Sequence, residues 1–240
     1  VKFNPDRLVL TMDINELVTA CDVIILATPS IYLADTIEKM TCDYSGKIFA
    51  SVIKGIVPKH NDIVANYLRD TFNIGYRNQA VLAGPCHAEE VAMERLSFLT
   101  VAAASKETTQ MLSDLLSSRY IRINQSNDIL GNEYSAVLKN IYAIGAGMAN
   151  GLGYGDNFQA VYISNAVREL ERILDAVYPE LRDVNESSYI GDLLVTAYSL
   201  FSRNRMFGNY IGKGYTVKSA IQSMSMVAEG YYATNGIYQI

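Results

Sequence analysis

Short apolar runs alternate with helical segments through the first half of the chain, and this alternation restricts the fold more than any other feature of the sequence. The run VIILATP, residues 23–29, is apolar almost throughout, which is typical of a strand buried on both faces of a sheet. The other strand-like runs span residues 47–55, 80–85, 96–104 and 120–124. Alternation of strands and helices predicts a parallel sheet with helices on its faces.

Helical patterns separate most of these strands and prevail after about residue 126. Asp13 is a cap-like residue before the first of them. The helices between the strands are predicted at residues 14–20, 31–40, 59–70, 87–93 and 106–117, and the later ones at residues 128–150, 157–178, 188–200 and 216–229. The sequence therefore predicts a doubly wound α/β domain over residues 1–124, followed by an all-α domain over residues 125–240.

Glycine or proline ends three of the predicted strands, in the sequences ATPS, KGIVP and AGPC. Ligands of open α/β sheets bind outside the carboxyl ends of the strands. Gly55 and Gly84 permit a close backbone approach there, and Lys54 adds positive charge. Ordinary turns have a similar composition, but three such ends together with a lysine favour a ligand crevice.

The long helix predicted after residue 126 is apolar on nearly every side, yet it contains Lys139 and Asn140 in its middle. Such a helix is normally buried, and a buried ammonium is unfavourable unless it is paired or loses its proton. Ala136, Ala143 and Gly147 flank the pair at helical spacing, which we interpret as room for a ligand. The alternative is a lysine whose ammonium reaches the surface along its own stem.

Composition and charge argue against several classes of function. The net charge is −5, and the 17 tyrosines lie outside any nucleic-acid motif, so we expect no nucleic-acid binding. Cys21, Cys42 and Cys86 are odd in number and lack a metal-ligand spacing, which favours a reducing cytoplasm. His60 and His87 are too isolated to indicate a metal site. No apolar run is long enough to span a membrane.

Four segments together closely resemble the bacterial type of NAD(P)-dependent glycerol-3-phosphate dehydrogenase. They are GPCHAEEVA (84–92), SAVLKNIYAIGAGMANGLGYGDN (135–157), GDLLVTAYSLFSRNRMFG (191–208) and GKGYTVKSAIQSMSMVAEG (212–230). CDVIILATPS and the KG at 54–55 fit the same family in the same order, so the resemblance covers essentially the whole chain. It implies a Rossmann-type parallel sheet, incomplete here, followed by an all-α substrate domain.

The resemblance implies a cytoplasmic oxidoreductase, a homodimer, that interconverts dihydroxyacetone phosphate and sn-glycerol 3-phosphate for glycerophospholipid synthesis. Hydride transfer would use NAD or NADP. Lys139 matches the family's catalytic lysine, and Asn140 stands beside it. The residues that match the family's substrate contacts are Lys54, Gly84, Cys86, Asp192, Ser202, Arg203 and Asn204. Those that match its cofactor contacts are Lys54, Ala88, Arg203, Val227 and Glu229.

The same residues suit this chemistry without the resemblance. A desolvated lysine, its pKa drawn towards neutrality, can protonate a developing alkoxide, and Asn140 can orient the lysine or the substrate oxygen. The SRNR sequence at 202–205 suits phosphate oxygens, unless it is a solvated basic turn. Asp192 and Thr196, four residues apart, can bind substrate hydroxyls from one helix face, or form a helix cap and an exposed polar pair. Cys86 has no evident partner base, so we interpret it as a packing residue rather than a nucleophile.

Two differences from the family pattern set further expectations. Cys86 stands where the family usually has Ser, and a thiol is a weaker hydrogen-bond donor. The family also begins with a strand, a G-x-G-x-x-G-type phosphate loop, a helix and a second strand, and it ends in further helices that the sequence does not contain. We therefore expect a truncated copy that binds NAD(P)H poorly. Two alternatives stay open: a non-catalytic fragment that retains assembly or ligand binding, and a related two-domain hydroxy-acid dehydrogenase.

Overall fold

The computed structural model describes residues 4–240, apart from the side chain of Pro5, and contains one sheet of five strands in the order β1-β2-β3-β4-β5. The strands are β1 (Val23–Leu26), β2 (Ile48–Ser51), β3 (Gln79–Ala83), β4 (Ser97–Ala103) and β5 (Ile121–Ser126). All five lie where the sequence predicts them. Strand β3 is buried along its whole length, whereas β1, at one edge of this sheet, leaves Ile25 exposed, so the burial on both faces expected of β1 is wrong.

The pairing of β3 with β4 is antiparallel, whereas the other three pairs are parallel. The purely parallel pairing predicted from the alternation is therefore wrong at this one pair. The connection between these strands contains only a short helix, Ala88–Ala92, which rises about 1.5 Å per residue. It is too short to bring the chain back to the end of the sheet at which β3 begins, as a parallel β4 would require. The chain turns back on itself instead, and the Phe98 N–H donates to the Pro85 carbonyl oxygen at 3.3 Å.

The helices around the sheet follow the predicted order. They are α1 (Ile14–Ala20), α2 (Ser30–Ile37), α3 (Val64–Phe72), α4 (Ala88–Ala92) and α5 (Lys106–Leu116), with 3-10 turns at Pro5–Arg7 and Tyr76–Asn78. Asp13 caps α1 as predicted, its carboxylate accepting the Asn15 N–H at 2.8 Å. Helix α3 begins later than predicted because Val57 and Asp62 form a bridge that closes a tight turn, in which Asn61 is left-handed with φ 51°.

The remainder of the described chain is helical. Its helices are α6 (Ile129–Gly151), α7 (Asp156–Val177), α8 (Asp192–Tyr198), α9 (Arg203–Gly212), α10 (Val217–Gln222) and α11 (Glu229–Gln239), with a π-helical turn at Ser187–Gly191 before α8. Each is too short or too polar to cross a bilayer, as are all helices of the described part of the chain.

The structure differs from the predicted helices at two places. The continuous helix predicted over residues 216–229 is wrong, because α10 ends at Gln222 and α11 begins at Glu229. The segment between them contains Ser223 and Ser225, and serine side chains compete with the helical backbone for hydrogen bonds. Helix α9 was not predicted, since its sequence RNRMFGNYIG has two glycines and no clear apolar period.

Helix α6 joins the sheet to the helical half. Its Val137 and Leu138 belong to the same buried apolar cluster as Val81 and Ala102 of the sheet. Glu133, also on α6, is fully buried and accepts the first two backbone N–H groups of α3, each at 3.0 Å. These two N–H groups have no partner within α3, so the hydrogen bonds to Glu133 fix α6 against α3 as well as against the sheet.

Glycines allow α6 and α9 to approach backbone to backbone. A Cβ atom at Gly147 would overlap the Arg205 carbonyl oxygen, and one at Gly208 would overlap the Ile144 carbonyl oxygen. Gly151 and Gly212 are equally crowded by the opposite helix. The glycine-rich end of α6 therefore determines how close α9 comes to it.

Replacing Gly208 with alanine should destabilise the protein by about 1–3 kcal/mol, because the added methyl group forces the two helices apart. Gly75→Ala is the matched control, since its Cβ meets no atom within 4 Å and its φ is −65°. Urea denaturation of both variants tests this. Equal midpoints for the two variants would contradict the close helix approach.

Candidate active site

A cavity of about 460 Å³ lies at the carboxyl ends of β1, β2 and β3, between the sheet and the helical half. The sheet contributes the turns that follow these strands, at residues 27–29, 52–54 and 86–89. The helical half contributes residues from α6, α8, α9 and the segment before α11. The crevice predicted from the sequences ATPS, KGIVP and AGPC is therefore present.

The cavity brings together most of the residues singled out from the sequence. Its lining includes Lys54, Cys86, Ala88, Lys139, Asn140, Thr196, Ser202, Arg203, Asn204, Val227 and Glu229. Gly84 and Asp192 are buried directly behind it. The lining also includes residues that sequence reasoning missed, namely Ala27, Thr28, Pro29, Val52, Ile53, His87, Glu89, Phe201 and Met226. Each of these residues lies in or next to a sequence already singled out: Thr28 in ATPS, His87 after AGPC and Phe201 before SRNR.

Lys139 is the most deeply buried cation of the site, with 4% of its surface exposed. Its ammonium donates to the Thr196 hydroxyl at 3.0 Å and to the Asp192 carboxylate. The alternative of an ammonium that reaches the surface is therefore wrong. The interpretation that Ala136, Ala143 and Gly147 leave room for a ligand is also wrong, because both alanines are buried in packing and α9 fills the space beside Gly147.

Asp192 joins two lysines that are distant in the sequence. Its second carboxylate oxygen accepts from the Lys54 ammonium at 3.2 Å and from the Gly84 N–H at 3.3 Å. Gly84 has φ 118°, a left-handed conformation that side chains disfavour, and a Cβ atom there would crowd the Phe98 carbonyl oxygen of β4. Asp192 is 1% exposed, and it follows the π-helical turn, an irregularity common at functional sites. A direct contact between Asp192 and substrate stays a prediction.

Burial dominates the proton affinities in this cluster. It lowers the pKa of Lys139 to about 7; the Asp192 carboxylate opposes this shift and the Lys54 ammonium adds to it. Burial also raises the pKa of Asp192, but the two ammonium groups outweigh that effect and hold its pKa below the ordinary value. Asp192 is therefore ionised at neutral pH, whereas Lys139 can lose and regain a proton there.

Asn140 does not contact the Lys139 side chain, one of its two expected partners; a contact with the other, the substrate oxygen, stays a prediction. Its amide nitrogen donates to the Lys54 carbonyl oxygen at 2.9 Å, so it holds the turn after β2 rather than the Lys139 side chain.

Burial raises the pKa of the Cys86 thiol, which agrees with a packing role. Burial and the nearby Lys139 lower the pKa of His87, so this imidazole is neutral at pH 7. Within residues 4–240, no cluster of His, Cys, Asp and Glu could hold a metal ion.

The SRNR sequence is the start of α9 rather than a turn; Ser202 and Asn204 are buried there, whereas Arg203 is exposed. Ser202 caps the helix, its hydroxyl accepting the Arg205 N–H at 3.2 Å. Arg203 lines the cavity and makes no salt bridge to any described residue. Asn204 accepts the Gly230 N–H at 2.9 Å through its side-chain oxygen. A guanidinium and a helix N-terminus side by side form an arrangement that binds anions.

Comparison with known proteins identifies the family. The model of the NAD-dependent glycerol-3-phosphate dehydrogenase N-terminus matches residues 2–109, and that of its C-terminus matches residues 128–240. The glycerol-3-phosphate dehydrogenase (NAD(P)+) of Syntrophomonas wolfei is 35% identical over 98% of this chain and 69% of its own length. The chain belongs to the NAD-dependent glycerol-3-phosphate dehydrogenase family. The resemblance noted in the sequence is thus confirmed.

Other members of the glycerol-3-phosphate dehydrogenase family agree in sequence and in fold. The relative from Prosthecochloris aestuarii is 35% identical over 98% of this chain and 72% of its own length. The crystal structure of glycerol-3-phosphate dehydrogenase from Coxiella burnetii matches 95% of this chain and 69% of its own, with a TM-score of 0.88 and 26% identity. The Rossmann-type sheet followed by a helical half is thereby confirmed.

In this dehydrogenase, Asp192→Asn should lower the free energy of unfolding by about 3–5 kcal/mol, because two ammonium groups lose a buried counter-charge. The loss should be largest at pH 5. Without the carboxylate, the pKa of Lys139 in the folded variant falls below about 7. Between pH 5 and 7 the variant therefore loses a proton on folding that the parent keeps, and its free energy of unfolding rises towards that of the parent as pH rises. Above pH 7 the parent sheds the same proton, and the difference becomes constant.

Urea denaturation at pH 5, 7 and 9 measures this difference. Asp35→Asn is the matched control, because Asp35 pairs with Lys59 on the surface at 2.8 Å, where an ion pair contributes little. A loss that is independent of pH in Asp192→Asn would show that Lys139 does not titrate in this cluster.

Proposed function

We propose that this protein interconverts dihydroxyacetone phosphate and sn-glycerol 3-phosphate, using NAD or NADP as the hydride carrier. The observation that supports this most is a buried lysine with a near-neutral pKa in the same cavity as a guanidinium without a carboxylate partner among the described residues. Its relatives, at 35% identity, bear the name glycerol-3-phosphate dehydrogenase. The alternatives of a non-catalytic fragment and of a hydroxy-acid dehydrogenase explain this pairing less well.

Lys139 is the proposed acid–base group. Reduction of the ketone leaves negative charge on the carbonyl oxygen, and the Lys139 ammonium would protonate that oxygen as the charge develops. In the reverse direction, the neutral amine would accept the proton of the alcohol. Asp192 and Thr196 hold the amine in place, and the Asp192 charge keeps its pKa from falling below the working range. Asn140 contributes by holding the turn that carries Lys54.

The phosphate group of the substrate would bind at the start of α9. Arg203 supplies a guanidinium whose paired N–H groups suit phosphate oxygens, and the amide nitrogen of Asn204 is a further donor. Lys54, with 26% of its side chain exposed, adds positive charge across the cavity. The complete set proposed for substrate binding is Lys54, Gly84, Cys86, Asp192, Thr196, Ser202, Arg203 and Asn204.

Residues from both walls of the cavity fit the reactive end of a nicotinamide cofactor. The cavity volume lies within the range of small-molecule sites, and the turn 27–29 ends at the N-terminus of α2, as expected of a cofactor crevice. When bound, NAD(P)H supplies the hydride. The residues proposed to hold it are Lys54, Ala88, Arg203, Val227 and Glu229.

The domain division, the oligomeric state and the location of the protein are proposed as follows. Residues 1–124 would form part of a dinucleotide-binding domain, and residues 125–240 a helical substrate and catalytic domain; nearly all of the strand residues lie in the first range, as this division requires. The protein would act as a homodimer in the cytoplasm, without nucleic acid, which agrees with its net charge of −5.

Lys139→Met should leave the fold intact but remove most activity, because general acid–base catalysis contributes about 10²–10⁴-fold to a rate. The loss should appear in kcat for dihydroxyacetone phosphate reduction, followed by NAD(P)H absorbance. In the parent, this rate should fall as pH rises above about 7, whereas glycerol 3-phosphate oxidation should rise, since reduction needs the ammonium and oxidation the amine. Activity within about threefold of the parent would refute the role of Lys139.

Arg203→Ala should raise the KM for dihydroxyacetone phosphate by about 10- to 150-fold, the equivalent of about 1.5–3 kcal/mol for a hydrogen bond to a charged group. Arg205→Ala is the matched control, because Arg205 lies two residues further along α9 and does not line the cavity. Non-phosphorylated dihydroxyacetone should be affected little by either change. Equal losses with both substrates would mean that Arg203 serves the cofactor or the fold.

A further inference from the structure

A buried tyrosine holds the π-helical turn that comes directly before α8. Tyr189 is 1% exposed, and its hydroxyl donates to the Asp128 carboxylate at 2.7 Å. Burial raises the pKa of the Tyr189 phenol, so the hydroxyl stays protonated and remains a donor. At the end of the same turn, Asp192 donates its backbone N–H to the carbonyl oxygens of Tyr189 and Ser187. The position of Tyr189 therefore affects the position of Asp192.

Asp128 is the N-cap of α6, the helix that contains Lys139. Its carboxylate accepts the Gly131 N–H at 2.8 Å, and a Cβ atom at Gly131 would overlap that carboxylate. The same carboxylate accepts from the Arg182 guanidinium at 2.9 Å, and the side chain of Arg182 is only 4% exposed. Tyr189 is thus bonded to a group that the helix and Arg182 both fix in place.

The segment formed by the π-helical turn and α8 contacts α6 through side chains at two places. Near the start of α6, Asn132 donates to the Tyr189 hydroxyl at 3.2 Å, beside the contact with Asp128. Further along α6, Lys139 donates to the side chains of Asp192 and Thr196. Because a helix rises about 1.5 Å per residue, the two places are about 10 Å apart along a single rigid element. The first contact therefore helps to set the position at which the second one forms.

The turn and α8 depend on such contacts for their position. Helix α8 spans only Asp192–Tyr198, and a helix this short is not stable by itself. Asn124 of β5 also donates to the Ser187 hydroxyl of the turn, at 2.8 Å, but that hydrogen bond is exposed to water. The bond from Tyr189 to Asp128 is charge-assisted and largely shielded from water, so it holds the turn more firmly.

We propose that Tyr189 is a positioning residue for the acid–base pair: by bonding to Asp128, it fixes the Asp192 carboxylate against the Lys139 ammonium. This inference rests on the proposed function for its effect on turnover. Its effect on Lys139 can be measured without any ligand.

The groups around Lys139 determine the sign of that effect. The titratable groups that face it are Asp192, Lys54 and His87, and the turn carries only the first of them. The Asp192 carboxylate keeps the pKa of Lys139 from falling further. A carboxylate that is less well placed attracts the ammonium less, so loss of the Tyr189 hydroxyl should lower the pKa of Lys139.

The first experiment measures the pKa of Lys139 in the ligand-free protein by NMR of ¹³C-labelled lysine, with Lys139→Met to assign the signal. Tyr189→Phe removes the hydroxyl but keeps the buried ring. It should lower the midpoint of the Lys139 titration, which lies at about 7 in the parent, by about 0.5–1 pH units. An unchanged or raised midpoint would overturn the proposal.

Tyr142→Phe is the matched control for this measurement. Tyr142 is also buried and lies on α6 itself, but its hydroxyl has no hydrogen-bond partner among the described residues. Its removal should leave the Lys139 midpoint unchanged. An equal shift in both variants would show that the midpoint responds to any change in the core, which would also overturn the proposal.

The second experiment measures kcat for dihydroxyacetone phosphate reduction at pH 5 and pH 8. At pH 8, Tyr189→Phe should lower kcat about three- to tenfold, because the fraction of ammonium above the midpoint falls about tenfold for each pH unit by which the midpoint is lowered. At pH 5, Lys139 is protonated in both proteins, so kcat should stay within about twofold of the parent. The KM values for dihydroxyacetone phosphate and NAD(P)H should change little.

Two kinetic results would overturn this role. An equal fall of kcat at pH 5 and pH 8 would mean that Tyr189 supports the fold and not the protonation of Lys139. A raised KM beside an unchanged kcat would mean that the turn shapes a binding site instead. If the parent neither binds NAD(P)H nor turns over substrate, the proposed function fails, and the NMR midpoints alone decide whether Tyr189 positions the pair.

Discussion

The buried ion pair between Lys139 and Asp192 is the interaction around which the cavity is arranged. An ammonium that is 4% exposed is unstable in a protein interior unless a counter-charge and hydrogen-bond acceptors surround it. Asp192 provides the charge and Thr196 an acceptor. Because Asp192 also accepts from Lys54 and from the backbone of Gly84, the same carboxylate joins α8 to two strand ends.

Acidic side chains and close backbone contacts hold the two halves together around this pair. Glu133 caps α3 and Glu229 caps α2, so two acids of the helical half are placed at helix N-termini of the sheet half. Burial raises the pKa of Glu133 to about 8, although the hydrogen bonds that it accepts from two backbone N–H groups oppose the shift. The glycine contacts between α6 and α9 then place Arg203 across the cavity from Lys54. A cavity with walls fixed at this many points is preorganised, which favours selective binding.

The order of elements and the location of the cavity could be predicted, whereas several partners could not. The strand containing VIILATP is recognisable because a continuous apolar run is a local property of the chain. Helix α9 escaped prediction because packing against α6, and not its own sequence pattern, stabilises it. Likewise, the small residues near Lys139 suggested an open space, but a neighbouring helix fills that space.

The sequence alone determined which chemical groups the protein possesses and the order of its strands and helices. Lys139 stands out because a charge is unusual in so apolar a helix, whereas Asp192 and Arg203 are indicated by the family resemblance. Only the tertiary structure decided that Asp192 pairs with Lys139, 53 residues away, and that Glu229 meets Ser30, 199 residues away. The reason is physical: hydrogen bonding and desolvation depend on distances between elements, and no local periodicity of the chain encodes those distances.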